Sequence, residues 1–266
     1  GVMSRSTLFA PEDMALELQR DGYPRRNWWD VAELLSRQTF QVQRVNCCGT
    51  AFLVSQGIEE GSSLRHYCFA TAWHVIHDIL DDERFTLWRS FDRTAICGET
   101  DRIATARLGP PLFDLGFLFL RTTDKLLPLE DMLPVRGLKT FPSLGENLGW
   151  YGYPGSLGQE PMFCRGTLAC FKSNPHCYLI NGVAYPGMSG APVADQYGWV
   201  VGVVSQWWED GTLPQIPGML QAAPSAMIRH VPEDRMLARV VDTRPEQVPG
   251  EESDGGASMP FTPPNS

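Results

Sequence analysis

Tyr185-Pro186-Gly187-Met188-Ser189-Gly190-Ala191-Pro192 packs two glycines and two prolines around one hydroxyl group. Glycine tolerates backbone conformations that other residues resist, so Gly187 and Gly190 let the chain turn tightly and come close to a substrate. Such a turn can aim the N–H groups of Gly187 and Ser189 at one point, which is what an oxyanion hole requires. Taken alone the pattern is only moderately specific, because glycine-rich turns around a serine also arise by chance.

Two residues upstream give it a sharper meaning. His74 follows an apolar run and opens Trp73-His74-Val75-Ile76-His77-Asp78, a candidate turn of helix. A histidine in that place fits a structural role, and His77 three residues on could pair with it on a metal. No carboxylate or third histidine follows at a useful spacing, so no metal is expected. Asp114 stands directly before the apolar stretch Leu115-Gly116-Phe117-Leu118-Phe119-Leu120. It is either a turn-former after Gly109-Pro110-Pro111 or a buried carboxylate that orients an imidazole, since burying it without a partner would be costly.

The flanking sequence reads as strands. Phe40 to Val45, Gly49 to Val54, Tyr67 to Ala72, Phe85 to Trp88, Ile103 to Leu108 and Leu115 to Leu120 are short and apolar or alternating, with glycine and proline between them. A second set covers Asn147 to Gly152, Cys164 to Phe171, Tyr178 to Ile180, Ala191 to Val193, Trp199 to Val204 and Met219 to Ala223. Many short strands separated by turn residues indicate an all-β barrel or sandwich. Residues 1–38 read instead as a helical extension, in which Asn27 caps a segment with Trp28, Val31, Leu34 and Leu35 on one stripe. The division that follows is 39–125 for a first β unit with His74 and Asp114, and 126–143 for a link. Residues 144–242 form a second unit with Ser189 and a C-terminal helix. Residues 243–266, rich in Pro, Gly, Glu and Ser, are expected to be a disordered tail.

In the order His74, Asp114, Ser189 the chain resembles the trypsin/chymotrypsin-like serine proteases, above all their bacterial stress-protease and glutamyl-endopeptidase-like branches. Thr71-Ala72-Trp73-His74, Asp114-Leu115-Gly116-Phe117-Leu118 and Gly187 to Pro192 carry the likeness. Gly49 to Val54, Gly152-Tyr153-Pro154-Gly155 and Gly198 to Ser205 extend it over about residues 45 to 230. The resemblance implies two six-stranded antiparallel β-barrels with the site in the cleft between them. It further implies a serine endopeptidase with His74 as base, Asp114 orienting it, Ser189 as nucleophile, and the Gly187 and Ser189 amides as oxyanion hole. No metal or organic cofactor is implied, and the partner is a protein or peptide substrate. A catalytically silent protease-fold scaffold is the alternative.

The departures are informative. Met188 replaces the aspartate with which digestive members capture a freshly cut N-terminus, so that activation route is not expected. By the same resemblance Val183 is expected at the base of the primary pocket, and Ser205, Gln206 and Trp207 are expected on the substrate-binding strand. With no acid at Val183 and a large indole at Trp207, preference for small or modest apolar residues is expected.

Composition restricts the partners further. A net charge of −9 with no compensating basic run argues against nucleic acid. No stretch of eighteen apolar residues suggests a membrane span. No secretory signal is evident, so the expected compartment is the cytoplasm, a secreted mature form being the other option. The seven cysteines are then expected to be reduced and mostly buried, although Cys48 and Cys68 could meet across a hairpin. The N-terminal helical segment is a packing appendage or a docking element for a regulatory protein.

Overall fold

The structure is a computed structural model. It describes residues 24–45, 47–58, 63, 65–77, 85–98, 103–107, 114–123, 133, 135, 141–173, 176–205, 218–225 and 228. Residues 1–23 of the expected helical extension, most of the expected C-terminal helix and the tail 243–266 lie outside these.

Helix α1 spans Trp28–Gln38. The Asn27 side chain accepts from Asp30 N at 2.9 Å and its amide donates to the Asp30 carboxylate, so one side chain closes the first turn. Val31 and Leu35, four residues apart on the inward face, are completely buried, whereas Trp29 on the opposite side is 80% exposed.

The chain then passes directly into a sheet. β1 (Thr39–Arg44), β2 (Cys48–Ile58), β3 (Arg65–Thr71), β4 (Phe85–Arg89), β5 (Thr94–Gly98), β6 (Ile103–Arg107) and β7 (Gly116–Thr122) pair antiparallel in the order β5-β4-β1-β2-β3-β7-β6. A short helix, α2 (Trp73–Ile76), follows β3. In the second unit β8 (Asn147–Gly152), β9 (Met162–Ser173), β10 (His176–Asn181), β11 (Pro192–Ala194), β12 (Val200–Val204) and β13 (Met219–Pro224) close into a barrel, in the order β10-β13-β12-β11-β8-β9.

The fold is the two-unit, all-β architecture expected, with one difference of detail. The second unit is a closed six-stranded barrel, but the first presents seven strands in one sheet. The additional strand is β5, which the turn chemistry conceals. Its hairpin with β4 carries no Asn-Gly or Gly-Gly signal; Arg93 adopts φ +56° there. Asp92 steadies the turn by accepting from Arg89 Nε at 2.9 Å and Thr94 N at 3.2 Å.

Three apolar clusters hold the molecule. Phe40, Leu53, Phe69 and Leu118 lie in one built by the first sheet, and Trp150, Ile180, Val193 and Val201 in one built by the barrel. The third belongs to neither unit alone. In it Val31 and Leu35 of α1 join Phe52, Cys68 and Phe117 of the sheet with Tyr151, Val200 and Val203 of the barrel. Strand β12 buries all five of its residues because it serves both the barrel cluster and this seam. Leu133 and Val135 of the link also enter the seam, and Val135 forms a parallel bridge with Val200. Tyr153 ties the units by hydrogen bonds: its hydroxyl accepts from Ser90 N at 3.0 Å and donates to Thr39 O at 3.2 Å.

Cys47, Cys48, Cys68, Cys164, Cys170 and Cys177 form no disulfide. Cys48 and Cys68 do not meet, because Cys68 pairs in register with Ser55 while Cys48 begins β2. Cys68 and Cys177 are buried, Cys47, Cys48 and Cys164 are half-buried, and Cys170 is exposed. They are less uniformly buried than expected. Burial pushes the Cys68 thiol far up from its ordinary value.

If α1 is structural glue, Leu35→Ala should lower the unfolding free energy by about 2–5 kcal/mol, the usual range for a buried leucine. Trp29→Ala should change it by no more than about 0.5 kcal/mol. Denaturant unfolding of the two variants measures this, and a small effect at Leu35 would contradict the role of the seam.

Candidate active site

Strand β3 ends at Thr71, and Ala72 precedes the single turn of α2 that carries His74. Asp114 stands two residues before β7, which pairs with β3, so adjacent strands deliver both side chains to one end of the sheet. The His74 N–H donates to Asp114 Oδ1 at 2.9 Å, and His74 Nδ1 lies 2.6 Å from Asp114 Oδ2. A carboxylate only accepts, so Nδ1 carries a proton; whenever the ring is neutral, Nε2 is its basic nitrogen.

A third donor comes from the other unit. The Ser205 hydroxyl, immediately after β12, donates to Asp114 Oδ2 at 2.8 Å. Asp114 is 8% exposed. Burial alone would raise its carboxyl, but the hydrogen bonds from His74 and Ser205, together with the charge of His74, outweigh that and hold it below the usual carboxylate value. Ser205 was expected among the substrate-binding residues. Its side chain is turned instead onto the carboxylate, a role that its position in the sequence does not disclose.

Ser189 sits between two consecutive tight turns. In the first, Met188 N donates to Tyr185 O at 2.9 Å across Pro186 and Gly187; in the second, Ala191 N donates to Met188 O at 3.0 Å across Ser189 and Gly190. Gly187 has φ +97° and Gly190 φ +91°. Proline at the second place and a positive-φ glycine at the third are the signature of a type II turn. A Cβ on Gly190 would also stand 1.9 Å from Thr50 O and 2.3 Å from Thr71 Oγ1. That closeness sets the serine turn against the chain that leads into His74, because an added Cβ would lie 3.0 Å from Ala72 N as well.

Four successive carbonyls, from Pro186 to Ser189, are engaged. Pro186 O accepts from Gly155 N at 2.8 Å, Gly187 O from Thr50 Oγ1 at 2.9 Å, Met188 O from Ala191 N, and Ser189 O from Thr50 N at 2.8 Å. Among the described residues the N–H groups of Gly187 and Ser189 meet no acceptor. Two donors left open beside a serine suit an incoming oxyanion. Ser189 is 5% exposed and makes no hydrogen bond with His74 among the described residues.

The remaining expected site residues are placed less tightly. Val183 is 50% exposed, so it is not enclosed as the floor of a pocket would be. Gln206 and Trp207 lie outside the described residues. Met188 is completely buried in the barrel cluster and presents no charge to a chain terminus. His77 turns its Nδ1 to His74 O at 3.2 Å, and among the described residues no three potential metal-ligating side chains gather. Among those residues, too, no helix is long and apolar enough to cross a membrane. Thr50 and Tyr153 were overlooked as individual residues, although both stand in runs that the sequence marks out.

The family model for the trypsin-like peptidase domain matches residues 49–203, more than half of the chain. No curated protein sequence matches significantly. The fold is similar to the serine endoprotease from Yersinia pestis, with a TM-score of 0.55 and 15% identity over 78% of this chain. The chain spans 66% of that protein, just under two thirds of its length. It is also similar to the Rv3671c protease in its inactive form, with a TM-score of 0.51, 17% identity, 79% of this chain and 92% of that one. A serine-to-alanine mutant of Rv3671c from M. tuberculosis H37Rv, likewise inactive, has a TM-score of 0.51 and 18% identity over 92% and 99% of the two chains. At such identities these structures speak for the fold alone.

The state of Asp114 gives a pH signature. A carboxyl held below its unfolded value of about 3.9 contributes stability at higher pH and loses it as pH falls through the folded value. The difference in Tm between wild type and Asp114→Asn should therefore be largest above about pH 5 and shrink toward pH 3. A difference that does not change with pH would rule out this account.

Proposed function

Because the chain belongs to the trypsin-like peptidase family, we propose that it is a serine endopeptidase that cleaves peptide bonds through an acyl-enzyme on Ser189. The observation that carries this reading is the part-buried pair His74 Nδ1 to Asp114 Oδ2, at 2.6 Å, in a molecule whose serine turn keeps two N–H groups open. As Ser189 Oγ attacks the substrate carbonyl, His74 Nε2 takes its proton, and Asp114 stabilises the imidazolium without itself being protonated. The negative charge that develops on the carbonyl oxygen is met by the N–H groups of Gly187 and Ser189. The imidazolium then gives its proton to the leaving amine as the C–N bond breaks. Water, activated by the same nitrogen, releases the acyl group and restores Ser189.

Two features bear on how the enzyme is used. The apolar, buried Met188 supports a site that needs no ion pair with a newly cut N-terminus. Val183, although not enclosed, brings no acidic side chain that could pair with a basic residue, so we propose small or apolar residues at the cleaved position. The compartment we propose is the cytoplasm. A regulatory protein that binds α1 would meet its outer face around Trp29, because Val31 and Leu35 are committed to the seam.

A fluorophosphonate probe tests the reading. Wild type should be labelled at a single site and Ser189→Ala not at all. Asp114→Asn should be labelled more slowly, by on the order of 10⁴-fold near neutral pH, because the amide presents the wrong hydrogen-bonding pattern to the ring. Folded wild-type protein that resists the probe would favour the scaffold reading.

A further inference from the structure

Thr50 belongs to β2 of the first sheet, yet it fastens the serine turn of the second unit. Its N–H donates to Ser189 O at 2.8 Å, and its hydroxyl donates to Gly187 O at 2.9 Å. The same hydroxyl oxygen accepts from Tyr153 N at 3.1 Å, while Thr50 O accepts from Thr71 Oγ1 at 2.6 Å. The direction of these bonds is not ambiguous. A backbone N–H can only donate, so Tyr153 occupies a lone pair of the hydroxyl and leaves its one proton for Gly187 O. Thr50 is completely buried, so solvent has no access to replace either bond.

The peptide so held is the middle one of three. In a planar trans peptide the C=O and the following N–H point in opposite directions. Gly155 N on Pro186 O therefore fixes the Gly187 N–H, and Ala191 N on Met188 O fixes the Ser189 N–H. Between them lies the Gly187–Met188 peptide, whose carbonyl is bonded to the Thr50 hydroxyl and whose N–H is bonded to Tyr185 O. Rotation of that unit would change the angle between the two flanking donors. Gly187, with no Cβ and φ +97°, offers little intrinsic resistance to such a rotation.

We infer that Thr50 is a positioning residue for the oxyanion hole: its hydroxyl, supplied by the first sheet, locks the middle peptide so that the Gly187 and Ser189 N–H groups converge. The catalytic part of this inference rests on the reading of Ser189 as nucleophile; the conformational part does not.

Full-length Thr50→Val removes the hydroxyl at nearly constant shape, and Thr50→Ser retains it. Two measurements are made on each. One is the pH profile of the second-order rate of labelling by a fluorophosphonate. The other is amide hydrogen exchange at Met188, compared with Val203 in the barrel core. Thr50→Val should lower the plateau of the rate profile by up to on the order of 10²-fold, comparable to loss of one oxyanion donor, without moving its midpoint, since His74 and Asp114 are untouched. Exchange at Met188 should accelerate by about tenfold or more while Val203 is unchanged, as expected of a local opening. Thr50→Ser should restore both.

Exchange that does not change at Met188, or that accelerates equally at Val203, overturns the inference, as does a Thr50→Ser variant no better than Thr50→Val. If wild type is not labelled, the hydrolase reading fails, and exchange at Met188 still decides the positioning role. Should Thr50→Val not fold, Thr50→Cys, with its weak S–H donor, provides the same comparison.

Discussion

A carboxylate stays ionised inside a protein only when enough donors converge on it, and at Asp114 those donors come from both halves of the molecule. His74 supplies two of them from the sheet, and Ser205 supplies one from the end of β12 in the barrel. The charge that orients the imidazole thus depends on the two units keeping their relative position. The seam exists to keep it. Its apolar cluster draws on α1, the sheet, the link and the barrel together, so none of these can shift without opening buried surface.

Polar contacts add direction to that apolar attachment. Tyr153 bonds to Thr39 and Ser90 through its hydroxyl and to Thr50 through its N–H. Thr50 in turn bonds to the backbone on either side of Met188. Burial fixes the distance between the units, whereas these bonds fix the orientation of single peptide planes. A hydrophobic seam alone cannot do the second task, because dispersion and water exclusion are not directional.

Much of this was legible in the sequence, for reasons that can be stated. Strand periodicity and turn residues are local properties, and they marked out twelve of the thirteen strands among the described residues. β5 escaped because Arg93 makes its turn with a backbone conformation usual for glycine or asparagine, stabilised by a neighbouring aspartate. The capped helix α1 was legible through Asn27 and Asp30, but not its burial in the seam, which depends on surfaces far away in the chain. The ordering of His74, Asp114 and Ser189 was legible by resemblance. That Ser205 bonds Asp114, and that Thr50 bonds Gly187, was not, since a hydroxyl has no periodicity and acquires its partner only in the folded state. The exposure of Val183 likewise depends on tertiary neighbours.

The arrangement of clusters also bears on how the molecule could stop working. Each unit has an apolar core of its own, and the seam is a third. His74 belongs to the first unit and Ser189 to the second, and that third core joins the two. A loosening confined to it would part Ser189 from His74 while every strand kept its partners. Circular dichroism would register an intact protein although the proposed site had come apart. Resistance to inactivation in this architecture is therefore a property of its weakest joint rather than of its total content of ordered strands.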